Sequence, residues 1–180
     1  MACRTVARQR PPGGPVSRPA GARTAAHTAG VCAVAVLAVA ADVATKAWAL
    51  SRLSGGRDIA VAGGLVRLRL VINHGAAFGL GASLEPLLSV VALLSVVLLA
   101  TWAVRAAGRA EGAGAALAAA GAAGNLIDRL ARPPGFLHGG VVDWLHLSFY
   151  GPTFNLADIW LRAGLLLAVA GWIWRRRPAG

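Results

Sequence analysis

Residues 154–177 read Phe-Asn-Leu-Ala-Asp-Ile-Trp-Leu-Arg-Ala-Gly-Leu-Leu-Leu-Ala-Val-Ala-Gly-Trp-Ile-Trp-Arg-Arg-Arg: an acid, Asp158, at the head of a largely apolar segment, Ile159 to Trp174, that Arg175-Arg176-Arg177 closes. An apolar run with a basic stop predicts a membrane helix whose basic end faces the cytoplasm. Asp158 enters the membrane with it. A charge at a helix centre costs roughly 2.5–3.5 kcal/mol, and less near an interface, so such an acid is a functional candidate by default. A second acid precedes it in Val141-Val142-Asp143-Trp144, with a Gly151-Pro152 turn between the two. Two carboxylates within reach of one another can share a proton, one acting as base on a water while the other acts as acid.

Composition agrees with a membrane chain. Of 180 residues, 57% are hydrophobic and only 14% charged, and mean hydropathy is +0.62. Soluble domains of this size rarely look like that. The net charge of +11 would suggest nucleic acid in a soluble protein. Here the arginines cluster at the ends of apolar runs, so membrane orientation and contact with anionic lipid are the better reading, and nucleic acid is not an expected partner. Cys3 and Cys32 show no metal or disulfide spacing, and Cys32 reads as a small apolar helix residue.

Three further runs complete the pattern. Ala29 to Leu50 is the first span; a cleaved signal peptide ending near Ala38-Val39-Ala40 competes with it. Against that, the helical pattern continues past Asp42, and Asp42 and Lys46 stand at i and i+4 in the favourable order. Leu84 to Val104 is the second span, with Glu85-Pro86 suited to its start. Gly112 to Leu130 is the third; its Gly112, Gly114, Gly121 and Gly124 suit close helix packing in lipid. Ile159 to Trp174 is the fourth. Met1 to Thr28, rich in Arg and Pro, reads as a disordered cytoplasmic tail (residues 1–28), leaving 29–180 as one membrane domain. Between the first two spans, Arg67 and Arg69 alternate with apolar residues, and Asp58 to Ile72 predicts a small sheet with one wet face. Trp144 to Tyr150 predicts a short amphipathic interfacial helix between spans three and four. The expected fold is therefore all-α and integral to the membrane: four transmembrane helices, an extracytoplasmic sheet and one interfacial helix.

With both termini inside, the inner segments hold five arginines in the tail, two in the middle loop and three at the C-terminus, against six in the outer segments (Arg52, Arg57, Arg67, Arg69, Arg129, Arg132). That topology gathers Asp42, Asn73, Asn125, Asp128, Arg129, Asp143, Asn155 and Asp158 on the outer side. Asn125, Asp128 and Arg129 share one helix face, as do Asn155 and Asp158. Several polar motifs converging on one leaflet argue for a site.

The histidines, His27, His74, His138 and His146, are scattered without zinc spacing, and no HExxH or GxSxG occurs. A Ser148–His146 arrangement lacks an orienting group. An aspartic pair activating water against a peptide carbonyl is the economical scheme. A channel or transporter whose acids line a vestibule is the rival reading.

The chain resembles the lipoprotein signal peptidases, the signal peptidase II family of aspartic membrane proteases. The resemblance rests on Asp42-Val43-Ala44-Thr45-Lys46, Asn73-His74-Gly75-Ala76-Ala77-Phe78-Gly79, Gly124-Asn125-Leu126-Ile127-Asp128-Arg129, Val141-Val142-Asp143 and Phe154-Asn155-Leu156-Ala157-Asp158. It implies a catalytic dyad of Asp143 and Asp158. By the same resemblance Asn125, Arg129 and Asn155 position the dyad and the substrate backbone, Asn73 contacts substrate, and Asp42 and Lys46 brace the site. Asp128 is either structural or a competing dyad member. The implied substrate is a prolipoprotein whose Cys carries diacylglycerol, cut on the N-terminal side of that Cys by a monomeric enzyme at the outer face of a bacterial cell membrane. The resemblance implies no metal and no organic cofactor. A relative that binds such precursors without cutting them is a further alternative.

Overall fold

The computed structural model describes residues 20–75 and 84–177, with the side chains of 20–23 excepted. The expected tail from Met1 to residue 19, and Ala76 to Gly79 of the Asn73 motif, lie outside the described residues.

Four long helices carry the fold: α1 (Ala20–Leu53), α2 (Glu85–Arg105), α3 (Arg109–Ala131) and α4 (Leu156–Arg176). α1 begins at Ala20, which corrects the tail boundary at Thr28. Pro19 is the last of the early prolines; beyond it Ala20, Ala22, Ala25 and Ala26 favour helix, and His27 Nε2 meets the Ala103 carbonyl of α2 at 3.1 Å. Among the described residues three helices are long and apolar enough to cross a membrane: Thr24–Leu53 of α1, α2 and α4. Their outer faces expose large apolar side chains; Leu37, Leu98 and Leu166 are 70%, 69% and 73% exposed. In a bilayer those faces meet lipid.

α3 differs. It packs against all three other helices, most extensively against α4, and is buried along most of its length. Its buried residues are mostly Ala and Gly, because much of what they meet is backbone. A Cβ at Gly114 would run into Ala168 N and Gly164 O, and one at Gly164 into Ala118 N and Gly114 O. A Cβ at Gly121 would meet the Ala157 carbonyl, and one at Gly171 the Glu111 amide. The two helices therefore present matched small-residue stripes, Gly114/Ala118/Gly121 against Gly164/Ala168/Gly171. In lipid, where apolar association gains little, close backbone approach supplies the dispersion contact that holds helices together.

A four-stranded antiparallel sheet sits at one end of the helices, in the order β1-β2-β3-β4, with β1 Asp58–Val61, β2 Val66–Asn73, β3 Val141–Leu147 and β4 Thr153–Phe154. The first two strands occupy the stretch expected to form the sheet. The last two correct the expected interfacial helix between α3 and α4. Trp144 to Tyr150 is too short to be a stable helix alone, Val141 and Val142 favour strand, and β2 offers a row of free backbone groups. β3 satisfies them, pairing Val66 with Leu147 and Asn73 with Val141.

The β2–β3 ladder slips by one residue between Leu68 and Val71. Side chains alternate across a sheet, so an inserted residue reverses which face the later ones occupy. Leu68 pairs with Leu145 and Val71 with Asp143. The bulge thus turns Asn73 onto the face that carries Asp143.

Gly164→Val is expected to push α3 and α4 apart and destabilise the protein by about 1–3 kcal/mol or more. The control Leu166→Ala, on the lipid face, should stay within about 0.5 kcal/mol. Thermal unfolding of both variants in detergent checks this.

Candidate active site

The start of α4 is built by one asparagine. Asn155 is the N-cap: its Oδ1 accepts from the Asp158 backbone N–H at 3.1 Å, and its own N–H donates to Asp158 Oδ2 at 3.2 Å. This reciprocal capping box fixes the Asp158 carboxylate over the helix end. The same Asn155 amide donates from Nδ2 to Asp143 Oδ1 at 2.7 Å and to Asn125 Oδ1 at 3.0 Å. Asn125 Nδ2 in turn donates to Asp158 Oδ1 at 2.9 Å, and Asn73 Nδ2 to Asp143 Oδ2 at 2.9 Å. Every oxygen of the two carboxylates holds one neutral N–H donor. A single fully buried amide, Asn155, touches both acids.

Beneath this layer lies a buried charge cluster. Lys46 Nζ contacts Asp42 Oδ2 at 2.8 Å and Asp128 Oδ2 at 2.9 Å, and donates to the Gly124 carbonyl at 3.3 Å and to Asn125 Oδ1 at 3.1 Å. Asp42 Oδ1 accepts from the Ala157 N–H at 2.9 Å, which is in the first turn of α4. Asp128 accepts from the Val142 N–H at 3.1 Å and pairs with Arg132. α1, α3, β3 and α4 are thereby tied together directly behind the two acids. Gly124 leaves the room: a Cβ there would strike the Asp42 carboxylate.

The acids face a cleft of about 170 Å³ whose lining includes Asn73, Asn125, Arg129, Asp143, Asp158 and Arg162. Arg129 Nη2 donates to the Gly75 carbonyl at 2.9 Å. Its Nη1 is buried and has no hydrogen-bond partner among the described residues, which leaves one donor for a ligand. Burial pushes the Asp143 carboxyl up to about 6; the nearby Asp158 charge adds to this, while the Asn73 and Asn155 donors and Lys46 oppose it.

The chain has seven acidic residues, and five are in ion-pairing contact: Asp42 and Asp128 with Lys46, Asp58 with Arg67, Glu85 with His74, and Glu111 with Arg175. Asp143 and Asp158 make no ion pair among the described residues. The other scheme open to the sequence fares worse: His146 Nδ1 faces Arg69 Nη2 at 3.0 Å, and nothing joins it to Ser148.

The structure brings Asn73, Asn125, Arg129, Asp143 and Asp158 to the cleft, with Asn155 just behind. Asp42, Lys46 and Asp128 lie below in the charge cluster. Sequence reading missed Arg132, the residue that caps the end of α3, as the partner of Asp128 four positions before it. It also missed Arg162, although this is the one charged residue between Asp158 and Arg175 and could have been singled out on that ground.

The family model described as signal peptidase (SPase) II matches residues 34–174. A lipoprotein signal peptidase of Bifidobacterium adolescentis is 43% identical over 137 residues, covering 76% of this chain and 72% of that protein. Lipoprotein signal peptidases of Bifidobacterium longum subsp. infantis and Mycobacterium bovis are 40% and 35% identical, each alignment covering 76% of this chain and, respectively, 74% and 67% of the relative. A solved structure described as a bacterial membrane enzyme superposes with a TM-score of 0.69 at 23% identity, covering 83% of this chain and 93% of that one. A second with the same description gives 0.67 at 25% identity, covering 83% and 94%.

Lys46→Met should leave Asp42 and Asp128 buried without their shared cation and cost about 3–5 kcal/mol. The check is the unfolding midpoint in detergent, which should fall far more than for an exposed substitution such as Arg57→Gln.

Proposed function

The chain belongs to the signal peptidase II family, and from that premise we propose that it removes the signal peptides of lipid-modified prolipoproteins as an aspartic endopeptidase, with Asp143 and Asp158 as its dyad. One observation carries the assignment: of seven acids, these two alone are held by neutral amides instead of cations, and they face the same cleft. An ion-paired carboxylate is poorly placed to trade a proton. A pair held by amides, partly desolvated and close together, can share one proton.

In this reading a water between the carboxylates loses a proton to the ionised acid as its oxygen attacks the scissile carbonyl carbon. The protonated acid gives its proton to the carbonyl oxygen. The resulting diol collapses when a proton reaches the amide nitrogen and the C–N bond breaks, releasing the signal peptide and the amine of the lipidated Cys. Arg129 Nη1 is the donor available to hold a substrate carbonyl, and Asn73, Asn125 and Asn155 orient the acids. Asp42, Lys46 and Asp128 brace them.

The membrane placement is part of the proposal. α3 has 23 residues, about 34 Å at 1.5 Å per residue, enough for ~30 Å of hydrocarbon. Shielded by its neighbours it needs little apolar bulk, so it serves as a fourth span. Arg105, Arg109, Arg175 and Arg176 then mark the cytoplasmic end with both termini, and the site opens at the outer face of the cell membrane. At that depth a diacylglyceryl Cys is anchored by its lipid while its signal helix remains in the bilayer. In this reading the enzyme works as a monomer among membrane lipids.

Asp143→Asn and Asp158→Asn should each lower kcat/KM on a diacylglyceryl-modified prolipoprotein by about 10²–10⁴-fold or more, with unfolding midpoints near wild type. Glu at either position should also fail, since a methylene shift spoils the geometry; substantial activity in either Glu variant would overturn the assignment of that position to a tightly placed dyad.

The protonated fraction of Asp143 falls as pH rises through about 6, so kcat/KM should decline on an alkaline limb near that value. The Asn73 N–H stabilises the charged form. Its removal in Asn73→Ala raises the carboxyl further and should move the limb to higher pH, measured as the pH profile of kcat/KM beside wild type.

A further inference from the structure

One charged group in the cleft is accounted for neither by the motifs nor by the ion pairs. Arg162 lies on α4 one turn beyond Asp158, on the same helix face, and lines the same cleft as the two acids. It sits within an apolar run, where an arginine is costly unless it meets a polar partner. Yet it makes no hydrogen bond or ion pair among the described residues. Helical side chains lean toward the N-terminus, which is the side of Arg162 on which Asp158 and the cleft lie. The cleft thus contains two acids without a cation and, beside them, an arginine that, unlike Arg129 with its bond to the Gly75 carbonyl, has no partner among the described residues.

We propose that Arg162 binds the carboxylate end of the signal peptide after cleavage. The inference rests on the reading of Asp143 and Asp158 as the cleaving pair. Hydrolysis breaks the C–N bond and forms a C–O bond. One product leaves with a free amine, and the other ends in a new carboxylic acid that gives up its proton. That carboxylate is born next to two aspartates, where like charges repel. The signal peptide extends from the cut into the membrane, which is the direction in which Arg162 lies from Asp158. A guanidinium presents a planar fork that matches a carboxylate in two parallel hydrogen bonds. Arg129 is less free for this task, since its Nη2 is already given to the Gly75 carbonyl.

The test uses the full chain in detergent and a fluorescent synthetic signal peptide ending at the residue before the Cys, made once with a free C-terminal carboxylate and once as the amide. Binding is read by anisotropy for wild type, Arg162→Gln and Arg162→Lys. Wild type should bind the acid roughly tenfold more tightly than the amide, the worth of a charge-assisted hydrogen bond at a half-open site. Arg162→Gln should lose that preference with the amide affinity unchanged, and Arg162→Lys should keep part of it. Equal affinity of wild type for acid and amide overturns the proposal. So does a preference that survives in Arg162→Gln, or a loss equal for both peptides, which is the signature of an arginine that anchors to bilayer phosphate. If Arg162→Gln fails to fold, the wild-type comparison and the Lys variant still decide. Cleavage of lipidated prolipoprotein by wild type is measured separately: its absence sinks the dyad, whereas cleavage without a carboxylate preference sinks only the role of Arg162.

Discussion

The arrangement depends on one ammonium group. Lys46 Nζ lies within 2.9 Å of both Asp42 and Asp128, in a place where water does not reach. An unpaired charge there would cost several kcal/mol, so each of the three is tolerable only while the others are in position. The second oxygen of Asp42 is spent on a backbone N–H in the first turn of α4, and that of Asp128 on the Arg132 side chain, while the Lys46-side oxygen of Asp128 also holds β3 at the Val142 N–H. A charge cluster that looks like a local ion pair in the sequence therefore sets the relative positions of α1, α3, α4 and the sheet. The cluster also reaches the cleft directly, because Lys46 donates to the Asn125 oxygen whose amide nitrogen holds Asp158.

The small-residue seam between α3 and α4 serves the same end by another route. Gly121 and Gly124 let α3 approach the first turn of α4 closely enough for Asn125 to reach Asp158 and for Asp42 to reach the Ala157 amide. Bulkier residues would gain dispersion contacts but would move Asn125 out of hydrogen-bond range. The helix with the least apolar bulk thus becomes the central one. Large apolar side chains are left to the faces of α1, α2 and α4 that meet lipid.

Much of this was legible in the sequence, and the parts that were not share a cause. The apolar runs, the Asp42–Lys46 spacing and the Asn155–Asp158 spacing are local patterns, and local patterns survive without a structure. The sheet was half legible: β1 and β2 alternate visibly, whereas Val141-Val142-Asp143 is buried on both faces and hides its period. What makes it a strand is the free edge of β2, a partner some 70 residues away in the chain. The start of α1 was obscured by arginines and prolines, although the prolines stop at Pro19. Arg132 was read as loop charge because its partner, Asp128, was assigned to the site. The bulge that turns Asn73 toward Asp143 left no mark that alternation alone could reveal.

The deepest distinction is between acids of the same motif group. Asp42, Asp128, Asp143 and Asp158 all gather at one end of the helices, all in segments that resemble the family pattern, and composition cannot rank them. Their partners can. Nature could have braced Asp143 and Asp158 with lysine or arginine, which are plentiful in this chain, and gained firmer attraction. Among the described residues, the partners of their oxygens are instead asparagine amides and a backbone N–H. An amide fixes a carboxylate in direction and lowers its proton affinity, but here not by enough to cancel the effect of burial. The Asp143 carboxyl at about 6 is the result, within reach of neutral pH. Rigidity comes from the charged cluster one layer below, while in the reactive layer above it no cation among the described residues pairs with either carboxylate. That division of labour lets a site be both firmly positioned and able to exchange a proton.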